Sequence, residues 1–295
     1  MTTQHTPSAA AAVLALLTGA VLWGLAWWPL KYFGSVGISG NLMVSVSYGL
    51  VAIIGLPVLW RQRQQWQKQA SLFLLIAVLG GWANTSLVNA LMSGNVVRVM
   101  LLFYMAPVWG VLAGRLFLGE RISPHRGGAV VLALIGAFVL LGGQSAFVKP
   151  LTPIDLMALS AGLAFALTNV TTRAAHAIPL ASKTLIIFLG CTVMATAAAL
   201  TIGQTLPAVP ASIWGLIGLF SLTWLVLATL ATQYGVTHMQ AGRASVLLIV
   251  ELVAAVISAM LIGGETLRPQ EWIGGTLVAC AALLEALAPQ VLPAH

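Results

Sequence analysis

Charge is what this sequence has least of. Only 6% of its 295 residues are Asp, Glu, Lys or Arg, and only six are acidic. A soluble domain carries about 25%. Six acids and thirteen bases cannot build a water-facing surface for a chain that is 60% hydrophobic with a mean hydropathy of +1.00. The medium around most of it is lipid. Cysteine is scarce as well. Cys191 and Cys280 sit in apolar runs, which excludes a disulfide framework and a thiolate metal site. HExxH, paired-histidine spacing and a phosphate-binding P-loop are also missing. No metal, nucleotide or other cofactor is expected, and ATP does not drive the protein directly. Every polar connector is short, which leaves no room for a soluble catalytic domain.

The net charge of +7 does not indicate a nucleic-acid partner. The bases are scattered singly between apolar runs and form no stripe. Such residues set membrane topology.

What is present is a series of apolar runs, each about as long as the 20 residues that cross a bilayer. They lie near 10–32, 40–60, 71–92, 96–118, 127–144, 154–174, 182–203, 211–233, 242–263 and 271–288. Membrane-barrel strands are shorter and alternate in polarity, so these are read as ten helices. The breaks have local causes: RQRQQWQKQ at 61–69 is too polar for hydrocarbon, and ERISPHR at 120–126, KPLTP at 149–153 and PAVP at 207–210 carry charge or proline. MTTQHTPS before the first run has no basic segment. That run is read as a membrane helix and not a removed signal peptide. With the N-terminus in the cytoplasm, nine of the thirteen bases fall inside and only Lys31, Arg98, Lys149 and Arg268 fall outside. The positive-inside rule then puts both termini in the cytoplasm.

The chain also repeats itself. A shift of 145 residues carries Arg98 onto Arg243, Gly119-Glu120 onto Gly264-Glu265, and Pro124 onto Pro269. A shift of 142 carries Trp23-Gly24 and Lys31 onto Phe165-Ala166 and Arg173. The halves, 1–148 and 149–295, hold five helices each and form one membrane unit. An odd number makes them enter the membrane from opposite sides, as an inverted repeat. Glu120 then faces the cytoplasm and Glu265 the outside.

The Trp23-Gly24 pair with Lys31 seven residues on, and the Gly-Glu pairs closing helices four and nine before a proline and a Gly-bearing helix, resemble the drug/metabolite transporter superfamily, EamA type. The resemblance covers nearly the whole chain. Within the superfamily the chain is most similar to the YddG-type exporters of aromatic and other amino acids. The resemblance implies a bacterial inner-membrane exporter with a central cavity lined by both halves. Phe165-Ala166, where the first half has Trp-Gly, departs from the pattern.

Candidate substrate-binding residues are those that lipid does not explain. Glu251 lies midway along helix nine, where a carboxylate costs at least about 3 kcal/mol unless paired, protonated or wet. It is expected to meet a substrate ammonium or carry a proton; the alternative is a structural acid bonded to a neighbouring helix. Under the repeat it falls on Ala106, next to Pro107. Pro107 has no N–H and frees the carbonyl of Phe103, marking a helix break at the cavity or a plain packing kink. Arg98 and Arg243 open helices four and nine. They either reach the headgroups or bind a substrate carboxylate. Trp60, Trp66, Trp214 and Trp272 read as interfacial anchors, whereas Trp23, Trp27, Trp82, Trp109 and Trp224 are deeper. Trp23, Trp27, Trp82 and Trp224, with Tyr104, offer aromatic walls, or else pack against helices and lipid. Asn84 and Asn169 stand among polar residues concentrated in helices three, six and eight, which are expected to border the cavity. Helices five and ten are expected to pack peripherally through GG pairs at 127–128 and 274–275.

These residues point to a secondary transporter of amino acids, aromatic and other neutral ones. The alternative is an exporter of cationic drugs or other small metabolites. An intramembrane enzyme would need a nucleophile–base pair or metal ligands, and a channel would show a filter or pore helix. Neither pattern is present. The partners implied are a small-molecule substrate and the lipid bilayer, with the oligomeric state open.

Overall fold

A computed structural model describes residues 9–119, 123–141, 151–238 and 241–287. Glu120 and Lys149 lie outside the described residues. The Arg243 side chain lies outside the described side chains, although its backbone is in a helix. All regular structure among the described residues is helical. The helices are α1 (Ala9–Leu25), α2 (Trp27–Ser35), α3 (Gly40–Arg61), α4 (Arg63–Trp66), α5 (Ala70–Ser93), α6 (Val96–Phe103), α7 (Ala106–Leu118), α8 (Pro124–Leu140), α9 (Pro153–Ala174), α10 (Leu180–Thr201), α11 (Ala211–Phe220), α12 (Val226–Thr237), α13 (Ala241–Leu261) and α14 (Pro269–Leu287). Seven stretches among the described residues are long and apolar enough to cross a membrane, and two shorter apolar helices, Pro124–Leu140 and Val246–Leu261, accompany them. The chain is a multi-pass membrane protein.

Two runs expected as single helices are broken in the middle. The first is interrupted at Ala26, between α1 and α2. Pro29 supplies no N–H there, and the Ala26 N–H turns back three residues to the Trp23 carbonyl, 3.1 Å. The 96–118 run is interrupted at Tyr104-Met105, between α6 and α7, with Pro107 in the first turn of α7. α11 and α12 join through a π-helical turn, Ser221–Leu225. The polar 61–69 stretch is not a plain loop. It forms α4 and a short 3-10 turn, and Trp66 folds back to stack on Phe73, with ring centroids 4.6 Å apart.

Helices of the first half pack mainly on those of the second: α1 on α12 and α13, α5 on α9 and α10, α3 on α10, and α8 on α14. Glycines permit the closest crossings. Gly136 and Gly274 face each other across α8 and α14, and a Cβ on either would come within 2.9 Å of the other's carbonyl oxygen. Gly128, expected to serve there, faces open space. The face that meets α14 is carried by Gly136, two turns further on.

Burial is uneven along the bundle axis. One end carries Ser35, Val96, Pro153 and Glu265; the other carries Arg61, Arg173 and His238. The largest apolar core, including Phe33, Ile38, Met43, Val96, Leu102 and Ile217, lies toward the Glu265 end. A smaller cluster around Phe73, Ile76 and Ile178 lies toward the Arg173 end. In α13, Leu252, Ala255 and Ala259 are buried, as is Ala244, while every residue from Val246 to Val250 is partly exposed.

Candidate functional site

The two mid-helix breaks leave carbonyls without amide partners, and the fold answers each differently. In the first run the Leu22 carbonyl accepts from the indole N–H of Trp224, 2.9 Å away. That indole is presented by the π turn, a deviation often found at functional positions. In the 96–118 run the Phe103 carbonyl, freed by Pro107, lies against Gly162 of α9. A Cβ at 162 would be 2.5 Å from that oxygen. Only glycine lets the two backbones come so close.

Tyr104 sits in the break between α6 and α7. Its hydroxyl donates to the Leu248 carbonyl on α13, 3.1 Å away, and lies near the Glu251 carboxyl. Under the 145-residue shift Leu248 is the counterpart of Phe103. The tyrosine of one half therefore reaches the mid-helix carbonyl of the other. Glu251 is the central residue of α13, ten residues from each end, about 15 Å at 1.5 Å per residue. It is partly buried, and among the described ion pairs it has no cationic partner. Its own backbone is pinned from behind: a Cβ at Gly24 would lie 2.5 Å from the Glu251 carbonyl oxygen. Tyr104 and Pro107 also line a small crevice against α8 and α14, bounded by Val108, Ala133 and Ala281.

The arrangement gathers Tyr104, Glu251 and Pro107 and leaves other expected residues elsewhere. Trp27 is buried, and its indole donates to Ser258 on α13, 2.9 Å. Trp23 is half-buried against the main core. Trp224 spends its N–H on Leu22. Asn84 belongs to a separate cluster: it accepts from Tyr48 at 3.4 Å and donates to Gly80 at 2.9 Å. Trp82 is 46% exposed and reaches Ser160 on α9 at 3.3 Å. Asn169 is exposed one turn beyond Phe165, which touches Phe103 with ring centroids 5.4 Å apart. Arg173 follows at the same spacing and is also exposed. Phe165, Asn169 and Arg173 thus form an open strip from the α6–α7 break to the Arg173 end.

Arg98 neither faces this centre nor extends freely to solvent. Its guanidinium grips Asp155 at two points, Nε–Oδ1 2.7 Å and Nη2–Oδ2 3.1 Å, and Nη1 reaches the Leu140 carbonyl at 3.4 Å. Asp155 was missed in the sequence, although Thr152-Pro-Ile-Asp155 carries a legible signal. It is the Ser/Thr-x-x-acid pattern of a capping box, and the box forms. Glu265, noted only as half of a Gly-Glu pair, accepts from the Val96 and Val97 amides at 2.8 and 3.0 Å. The π turn around Trp224 left no mark in the sequence.

Known proteins bear on this architecture. Two tandem stretches, 10–142 and 152–286, match the model of the EamA-like transporter family. The chain is 27% identical over 209 residues to an uncharacterized transporter of Archaeoglobus fulgidus, covering 71% of this chain and 74% of that protein. A crystal structure of a protein 18% identical to this chain superimposes with a TM-score of 0.58 over 93% of this chain and 96% of the other, a likeness of fold. The double match spans most of the sequence, on helices that pair half against half, and the chain belongs to the EamA-like transporter family.

Proposed function

We propose that the protein is a secondary transporter that exports amino acids, aromatic and other neutral ones, across a bacterial inner membrane by alternating access. In this reading ten crossings form two inverted halves, 1–148 and 149–295, and both termini lie in the cytoplasm. The observation that carries the reading is Tyr104, in the α6–α7 break of the first half, set against the middle of α13 in the second half, where Glu251 stands. An acid at that depth without a cation at its side is costly unless it is protonated or meets a positive group. A substrate ammonium supplies one, the hydroxyl of Tyr104 orients the carboxyl, and the strip from Phe165 to Asn169 gives an apolar side chain a path.

One observation favours a second reading. Arg98 is fully engaged by Asp155 and is not free to bind a substrate carboxylate. With Arg98 so occupied, the same acid serves a cationic drug or other amine equally well.

Counterflow into liposomes separates these readings. Labelled phenylalanine or tryptophan is placed outside, with unlabelled amino acids or cationic drugs inside. Faster uptake with amino acids inside establishes an amino-acid carrier. Acceleration of labelled cation alone moves the protein to the second reading, and acceleration by neither class overturns both.

A further inference from the structure

We propose that Glu265 is a positioning residue of the transport cycle: with Asp155, it forms a two-acid latch that holds the Glu265 end of the bundle shut. The proposal rests on the transporter reading. The chain has six acids, and two of them, both from the second half, converge on the first turn of α6 in the first half. The Glu265 carboxylate takes the Val96 and Val97 amides, one per oxygen, at 2.8 and 3.0 Å. Asp155 takes the Arg98 guanidinium at two points one residue further on. Bonds of this charge-assisted kind are roughly twice as strong as neutral ones. A carboxylate at a helix N-terminus also gains from the helix dipole.

The latch sits where the two halves must part if this end opens. Glu265 follows α13 directly and Asp155 lies in the first turn of α9. α6 bears on both helices. Nearby, the Lys31 ammonium donates to the Gly94 carbonyl at 2.6 Å, fixing the turn that delivers Val96 and Val97. The amides of Val96 and Val97 cannot be satisfied within α6, because the first turn of any helix lacks carbonyl partners. The residues beneath the latch are fully buried: Val96, Leu102 and Ala259 are at 0% exposure. Toward the other end Val246 to Val250 of α13 are partly exposed, and α9 presents Asn169 and Arg173 to the exterior. The latched end is the closed one. When the substrate site turns outward, the two carboxylates must release α6 and take water instead.

The test reads distance and not flux, so it does not depend on the substrate. Spin labels go on cysteines at Ser93 and Ile262, exposed positions flanking the latch, with Cys191 and Cys280 replaced by alanine, in lipid nanodiscs. The unsubstituted latch gives predominantly one short distance by double electron–electron resonance. Glu265→Gln adds a longer distance and shifts the ratio of the two populations about tenfold, as expected for losing a charge-assisted contact. Glu265→Asp restores part of the short population, which a merely structural lesion would not. Asp155→Asn, read in the same way, serves if Glu265→Gln fails to insert. An unchanged distribution in every well-folded variant overturns the latch. If the distribution shifts but no variant or parent moves any substrate, the latch stands and the transport reading fails instead.

Discussion

Gly162 lies flat against the carbonyl oxygen of Phe103, with room for a hydrogen and not for a methyl group. A Cβ there would stand 2.5 Å from the oxygen. The contact makes use of the carbonyl that Pro107 leaves free. Gly24 repeats the device on the Glu251 carbonyl, so each break-bearing or acid-bearing helix is braced at mid-length by a glycine of the other half.

Gly162→Ala and Gly24→Ala should therefore each lower stability by about 1–3 kcal/mol, the usual cost of overpacking. Gly110→Ala is the control, since its Cβ would meet nothing within 4 Å, and should leave stability nearly unchanged. Thermal unfolding of the purified variants in one detergent checks all three. A Gly162→Ala protein as stable as the parent would mean that the backbones separate without cost.

Arg98 and Asp155 should behave as a unit. The Asp155 side chain is 3% exposed and that of Arg98 24%. Arg98→Ala leaves a buried carboxylate without its cation, which costs about 3–5 kcal/mol. Replacing both residues should cost less than the sum of the single losses. A double-mutant cycle on unfolding free energies measures the coupling, and strict additivity would show that the pair contributes nothing specific.

Glu251→Gln should insert and fold, because the amide keeps the size and polarity of the side chain. Counterflow should fall about tenfold to a hundredfold, corresponding to a charge-assisted bond of about 1.5–3 kcal/mol. Tyr104→Phe loses the hydroxyl that binds the Leu248 carbonyl and should lose less. Parental rates in Glu251→Gln on both sides of neutral pH would remove this acid from the mechanism.

The tryptophans should divide by burial. Trp27→Phe breaks the buried bond to Ser258 and should cost about 1 kcal/mol. Trp82→Phe, at a half-exposed indole, should change stability little. Parallel melting curves compare them, and equal losses would contradict the division.

Much of this was legible in the residues. Pro107 announced the break at 104–105, because proline removes a donor wherever it falls. The 145-residue shift paired Glu251 with Ala106, next to Pro107, and Glu251 stood out as an acid in an apolar run. Asp155 was readable as a capping-box acid but not as the partner of Arg98, because the two are 57 residues apart in sequence. Trp27 and Trp82 looked alike in sequence. One is buried and the other open because their helices turn them toward different neighbours.

The sequence alone determined the medium, the helical class and the doubling, since hydrophobicity, run length and repeated charge are properties of a chain read in order. Only the tertiary structure decided which distant groups meet. The Glu265 carboxylate and the Val96 amide are 169 residues apart, and backbone amides are the same at every position. Nothing written along the chain marks which of them a distant acid will find.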